Sequence, residues 1–229
     1  MNNLKNSCKT LEEKMASLGI KPMTKTELER QVEKIDQQAK LDLNKKINTC
    51  VSDVPKRFKK IKFSEIASKK EQEPFFKFCQ TLIESVIKNQ EKNGIILGSI
   101  GSGKTLFLSG VINEISQLGH TGCLATLSDV MFRIKAAYAL NISAVYKEIQ
   151  YFSTVELLAL DEIDIIKANE NTYELLNTII NNRYNNELST VIISNKSLDQ
   201  VKELLGDRIV DRLRVNGSSL TIKMDSARN

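Results

Sequence analysis

From residue 94 onward the chain alternates short apolar runs with longer amphipathic stretches. Residues 94–97, 123–127, 155–160, 190–193 and 220–224 are mostly apolar and short, as buried parallel strands are. The stretches between them place apolar residues three and four apart, the period of a helix. They cover residues 106–118, 128–137, 143–152, 172–184 and 197–206, with Ser128 and Ser197 as candidate N-caps. Strands alternating with helices predict an α/β fold, a parallel five-stranded sheet flanked by helices. Before the first strand, Pro74 opens a helix with Phe75, Phe78, Cys79, Leu82, Ile83 and Val86 on its apolar face.

The first 48 residues carry a different pattern. Leu4, Cys8, Leu11, Met15 and Leu18 form one helical stripe, which Gly19 and Pro22 end. Thr24 and Glu27 have capping-box spacing, and Leu28, Val32, Ile35 and Ala39 repeat the stripe in a second helix. Residues 1–48 thus read as a helical hairpin. It either packs on the main domain or keeps a stripe for a partner's helices. Residues 49–65 read as a basic linker around Pro55-Lys56-Arg57-Phe58-Lys59-Lys60-Ile61-Lys62-Phe63. Such a stretch can follow a phosphate backbone or serve as a solvated connector. Residues 66–229 are left for the α/β domain.

Composition narrows the function classes. The 229 residues are 41% hydrophobic, enough for a buried core, and the formal net charge is +5. That mild basicity suits a polyanionic partner without requiring one. No apolar run approaches ~18 residues, so no membrane span is expected. Residues 1–6 lack the apolar region of a signal peptide, so a cytoplasmic protein is expected. Cys8, Cys50, Cys79 and Cys123 are scattered, which argues against a metal site or disulfide framework, and Cys79 and Cys123 read as core. His120, the only histidine, reads as a loop residue without chemistry.

The chemistry lies at the strand ends. Gly98-Ser99-Ile100-Gly101-Ser102-Gly103-Lys104-Thr105 fits the phosphate-binding P-loop, between a strand and a helix that continues through Leu106. Glycines let backbone N–H groups close round an anion, and the helix aims its positive end at it. Lys104 would neutralise the β- and γ-phosphates, and the Thr105 hydroxyl would hold Mg²⁺. The third apolar run ends in Asp161-Glu162. Asp161 would hold Mg²⁺, and Glu162 would orient and deprotonate the attacking water. Asn195, closing the fourth run, would position that water or sense the γ-phosphate. In Gly206-Asp207-Arg208-Ile209-Val210-Asp211-Arg212-Leu213-Arg214, Arg208 and Arg212 share a helix face. They either pair with Asp207 and Asp211 or act as an arginine finger toward a neighbouring subunit.

These motifs resemble those of the DnaC-type helicase loaders and the related IstB transposition ATPases. The likeness runs from Pro55-Lys56-Arg57-Phe58 through the P-loop, residues 158–163, Ser194-Asn195 and residues 206–214 to Asp225-Ser226. It implies a lidless AAA+ core that binds ATP and Mg²⁺, with ATP hydrolysis that is weak and DNA-stimulated. It implies an N-terminal region that grips a DnaB-type replicative helicase hexamer, and ATPase domains that self-associate and bind single-stranded DNA. Tyr138, Asn171 and Tyr173 match the family's DNA-facing positions, although Tyr138 also falls near an apolar helix face. The alternative is an IstB-like helper acting on duplex DNA with a transposase.

Overall fold

The computed structural model describes residues 24–66, 70–163 and 170–222. The first predicted helix, residues 4–18, lies outside them, as do Asp225 and Ser226. The chain divides into two units, Met1–Lys45 and Lys46–Asn229.

In the first unit, Thr24 starts helix α1 (Lys25–Asp53) as expected. The Thr24 hydroxyl accepts the Glu27 N–H at 3.3 Å, and the Glu27 carboxylate accepts the Thr24 N–H at 2.8 Å. Each satisfies a donor that the helix start leaves unpaired. Every described side chain from residue 24 to 45 is exposed, Val32 by 58% and Ile35 by 68%.

The second unit begins within α1, which continues past the predicted boundary to Asp53. The expected linker is therefore helix up to Asp53 and a packed strap after it. Val54 is 1% exposed and Phe63 5%, and Phe63 stacks on Phe76 with ring centroids 4.8 Å apart. The strap runs through two 3₁₀ turns, Lys56–Phe58 and Phe63–Glu65, and a third, Lys70–Gln72, leads into α2 (Glu73–Ile87). Buried apolar anchors at either end hold it down, and the run of lysines between them conceals this in the sequence.

Five strands follow: β1 (Asn93–Gly98), β2 (Gly122–Thr126), β3 (Leu157–Asp161), β4 (Ser189–Ser194) and β5 (Gly217–Ile222). They pair in the order β2-β3-β4-β1-β5, all parallel. The helices between them are α3 (Lys104–Gln117), α4 (Leu127–Tyr138), α5 (Ile142–Thr154), α6 (Glu170–Asn185) and α7 (Leu198–Arg214). Alternation along β1 shows how the sheet is covered. Ile95 and Leu97 join a core with α4, α5, α6 and α7, whereas Ile96 joins a core with α2, α3 and the strap. Cys79 and Cys123 are fully buried, as expected.

Two local expectations change. Thr126, not Ser128, caps α4: Thr126 Oγ1 accepts the Asp129 N–H at 3.0 Å and donates to its carboxylate at 2.7 Å. The helix expected to end at Gly206 kinks there instead, with φ 67° and ψ 164°, and continues to Arg214. That φ suits glycine, and a Cβ would lie 3.0 Å from Tyr173 Oη. Leu205, Ile209 and Val210, buried on both sides of the kink, keep the second half on the core.

At the far edge of the sheet, Arg183 is fully buried on α6. It donates to Phe152 O (2.9 Å), Val155 O (2.7 Å), Ser189 O (2.6 Å), Glu156 O (3.5 Å) and Thr190 Oγ1 (3.0 Å). It thereby ties the end of α5 and the starts of β3 and β4 to α6. Burial pushes its pKa down to about 9, so it remains a cation at neutral pH. His120, also near the strand starts, is not without a partner: its Nδ1 meets Glu156 Oε1 at 2.7 Å.

Candidate nucleotide-binding and catalytic site

The strand order places β3 and β1 on either side of β4, so three C-terminal strand ends converge. The P-loop leaves β1, Asp161 ends β3, and Ser194-Asn195 ends β4. Ligands of open α/β sheets bind at this edge. A cleft of ≈ 550 Å³ opens there. Its lining includes Gly101, Ser102, Gly103, Lys104, Thr105, Asp161, Glu162 and Asn195.

The loop has the backbone that an anion cradle needs. Gly101 has φ 86° and Gly103 φ 90°, and Gly103 is the N-cap of α3. A Cβ at Gly103 would lie 3.0 Å from Gln72 Nε2, which itself donates to Ser102 O at 3.0 Å. Gln72 is 7% exposed and braces the loop from outside. The Lys104 ammonium donates to Gly98 O at 2.6 Å, Ser99 O at 2.9 Å and Ser102 Oγ at 3.2 Å. Desolvation lowers the Lys104 pKa, and the nearby Asp161 carboxylate opposes that shift.

Thr105 Oγ1 and Asp161 Oδ2 are 3.3 Å apart. A hydroxyl and a carboxylate from two different elements form a small hard-oxygen pair. Mg²⁺ takes such ligands, with phosphate oxygens and waters completing an octahedron. The donor set fits that ion. Asp161 Oδ1 accepts the Glu162 N–H at 2.8 Å, and Glu162 has φ 54°, left-handed for a residue with a side chain. Strain of this kind costs on the order of 1–3 kcal/mol and is held where the surroundings fix it. Here it accompanies a Glu162 that lines the cleft beside Asp161. Asn195 is exposed in the lining, while Ser194 beneath it is buried and accepts the Lys196 N–H at 3.1 Å.

Sequence reasoning missed several residues of the cleft. Arg57, Phe58, Thr126 and Ser194 also line it. The Arg57 guanidinium lies 4.9 Å over the Phe58 ring. A ring capped by a cation offers a surface on which a nucleobase can stack. The signal was present as Arg57-Phe58, but only the strap's packing brings it to the P-loop.

Most of the other expected residues lie outside this cleft. Gly98, Ser99, Ile100 and Leu106 belong to the loop and its helix, and of these Ile100 and Leu106 line the cleft. Arg208 and Arg212 are on α7 beyond the kink. Arg212 donates to Asn177 Oδ1 at 3.0 Å, and Arg208 is exposed with no side-chain partner among the described residues. The expected pairing with Asp207 or Asp211 is absent for both; Asp211 instead meets Arg214 at 3.2 Å. Tyr138 is 65% exposed at the end of α4, and Asn171 is exposed on α6. Tyr173 is partly buried, packing on the core beside Gly206.

The sheet order, the P-loop and the Asp161-Glu162 strand end define the class: an AAA+ P-loop ATPase fold. The chain belongs to the IstB-like ATP binding protein family, whose model matches residues 26–229. It is 28% identical over 126 residues to the replicative helicase loader DnaC of Escherichia coli K12, 54% of this chain and 51% of that protein. The chain spans about half the length of the curated relatives it matches. Among solved structures, it resembles AMPPCP-bound DnaA from Aquifex aeolicus, with TM-score 0.64 and 19% identity over 75% of this chain and 51% of that one. It also resembles the DnaC helicase loader crystal structure, with TM-score 0.59 and 22% identity over 74% of this chain and all of that one. No helix of the described residues is long and apolar enough to cross a membrane.

Proposed function

We infer that this chain is an ATP-dependent loader that binds a replicative helicase ring and delivers it onto single-stranded DNA. The observation that carries the reading is the pairing of the cleft with the kind of relative. Lys104, Thr105, Asp161, Glu162 and Asn195 border one cleft or belong to its loop, and the chain is 28% identical to a named helicase loader over 126 residues.

The geometry supports the following division of labour. The P-loop N–H groups and Lys104 bind the phosphates of ATP, while Arg57 and Phe58 face its base. Thr105 and Asp161 would hold Mg²⁺, which would supply charge neutralisation at the transferring phosphoryl group. Glu162 takes the proton of the attacking water, and Asn195 orients that water. Arg212 acts on a neighbouring copy's nucleotide, so turnover requires assembly; Asn177 holds its guanidinium ready. The exposed stripe of α1, with Val32 and Ile35, meets the helicase. Tyr138 stacks on bases of the single strand.

A pull-down with the replicative helicase of the same source tests this, using the full chain and a variant lacking residues 1–45, each with ATP and with ADP. Binding by the full chain, lost in the shortened one, supports the reading. No binding by the full chain overturns it. A transposition helper is the second reading, favoured by the family match; preference for duplex over single-stranded DNA would mark it.

A further inference from the structure

The strap between Val54 and Phe63 has two sets of residues with separate duties. Val54 and Phe63 are buried anchors, Phe58 is partly buried against the α2–α3 core, and Ile61 is half-buried. The backbone between them is pinned from below. Asn113 of α3 donates through Nδ2 to both Phe58 O (2.9 Å) and Ile61 O (2.7 Å). These contacts account for how the strap is held. None of them uses the five cations Lys56, Arg57, Lys59, Lys60 and Lys62, all exposed.

The flanking carboxylates in sequence, Asp53 and Glu65, already have partners. Asp53 Oδ2 accepts from Arg133 at 3.2 Å and from the Tyr151 hydroxyl at 2.9 Å. Glu65 is 3.8 Å from Lys62. Lys56, Lys59 and Lys60 therefore have no ion-pair partner among the described residues. Three like charges within five positions repel one another, and folding gains nothing from holding them on a fixed backbone.

We propose that Lys56, Lys59 and Lys60 form a nucleic-acid phosphate-binding strip. Three observations favour that ligand. Lysines act as point charges that bind a repeating phosphodiester without needing bidentate geometry. The strap's apolar side chains are turned into the protein, so nothing remains to insert into a bilayer as interfacial membrane binding requires. Arg57, in the same turn, lines the nucleotide cleft, so a strand on the strip runs beside the ATP site. The strip packs on the α2–α3 face of the sheet, whereas Tyr138 belongs to α4 on the opposite face. It is thus a second contact surface. The loader reading already brings nucleic acid to this chain, so the inference rests on that reading and adds a second, electrostatic contact to it.

The test measures binding of a fluorescent single-stranded oligonucleotide and its duplex by anisotropy, across a series of KCl concentrations. Wild type is compared with K56A/K59A/K60A in the full chain. Each phosphate contact contributes about 0.7 to the slope of log K against log salt for single strands and about 0.9 for duplex. The triple variant should lose about 2 from the slope on single strands, or about 3 on duplex, and bind at least about a hundredfold more weakly at 0.1 M salt. Its ATP affinity should match wild type, because none of the three lysines lines the cleft. Whichever of strand and duplex shows the larger loss is the ligand form. An unchanged slope with retained binding overturns the strip and leaves the helicase interaction untouched. So does a triple variant impaired only in binding anionic phospholipid vesicles.

Discussion

Replacing Arg183 with methionine should destabilise the protein without altering the nucleotide site. Methionine matches the length of the arginine stem but cannot donate a hydrogen bond. Five acceptors lose the guanidinium, four carbonyls and the Thr190 hydroxyl, but Glu156 O keeps the Ser189 N–H at 3.2 Å. Stranding each of the other four costs about 1 kcal/mol at the low end, giving roughly 4 kcal/mol. Removing a buried cation without a carboxylate partner and adding apolar burial returns roughly 2 kcal/mol. The net loss is about 2 kcal/mol. In a chain of this size that lowers Tm by about 4–8 °C. Calorimetry or circular-dichroism melts without nucleotide would measure it. ATP affinity below the transition should match wild type, because Arg183 is at the strand starts and the cleft is at their ends. A Tm change under about 2 °C would refute the claim that this guanidinium ties four segments together. So would a selective loss of ATP binding with Tm intact.

Other outcomes follow from the cleft and its neighbours. Lys104→Ala should reduce ATP affinity at least about a hundredfold, read by fluorescent-nucleotide titration; retained affinity would contradict the cradle assignment. Glu162→Gln should leave ATP binding near wild type while lowering turnover about 10²–10⁴-fold in a phosphate-release assay, and unchanged turnover would remove Glu162 as the base. Arg212→Ala should slow turnover at equal ATP affinity; the same loss confined to Arg208→Ala would move the finger to Arg208. Glu156 governs part of the acid limb of stability. Desolvation acts to raise its pKa, but hydrogen bonds from His120 and Thr121 outweigh it and leave it lowered. Its contribution is therefore present above the unfolded carboxylate range and lost as pH falls through the depressed value. Glu156→Gln should flatten denaturant midpoints over that acid range, and an unchanged pH profile would contradict the assignment.

What the sequence revealed, and what it hid, follows from the range of each interaction. The P-loop, Asp161-Glu162 and the Thr24 box are local, so spacing alone finds them. Alternation implied a parallel sheet but not its order; the fold sets β4, and with it Asn195, beside β3 and Asp161. Arg57 and Phe58 were visible as residues but not as cleft lining, because their position depends on Val54, Phe63 and Asn113 holding the strap. Arg183 near the end of a helix resembles a surface cation; only the convergence of α5, β3 and β4 supplies its acceptors. Gly206 reads as a helix stop because glycine commonly is one. Burial of Leu205, Ile209 and Val210 carries the helix on past the kink. Arg208 and Arg212 read alike in sequence for a similar reason, since the Asn177 contact that separates their surroundings lies 35 residues from Arg212.

The most direct test of the loader account is helicase transfer to a single-stranded DNA circle. The replicative helicase retained on the circle is counted after gel filtration, with wild type, Lys104→Ala or no added protein. The account predicts that wild type with ATP raises the retained helicase severalfold and that Lys104→Ala leaves it at the level without added protein. Equal retention in all three would contradict the account.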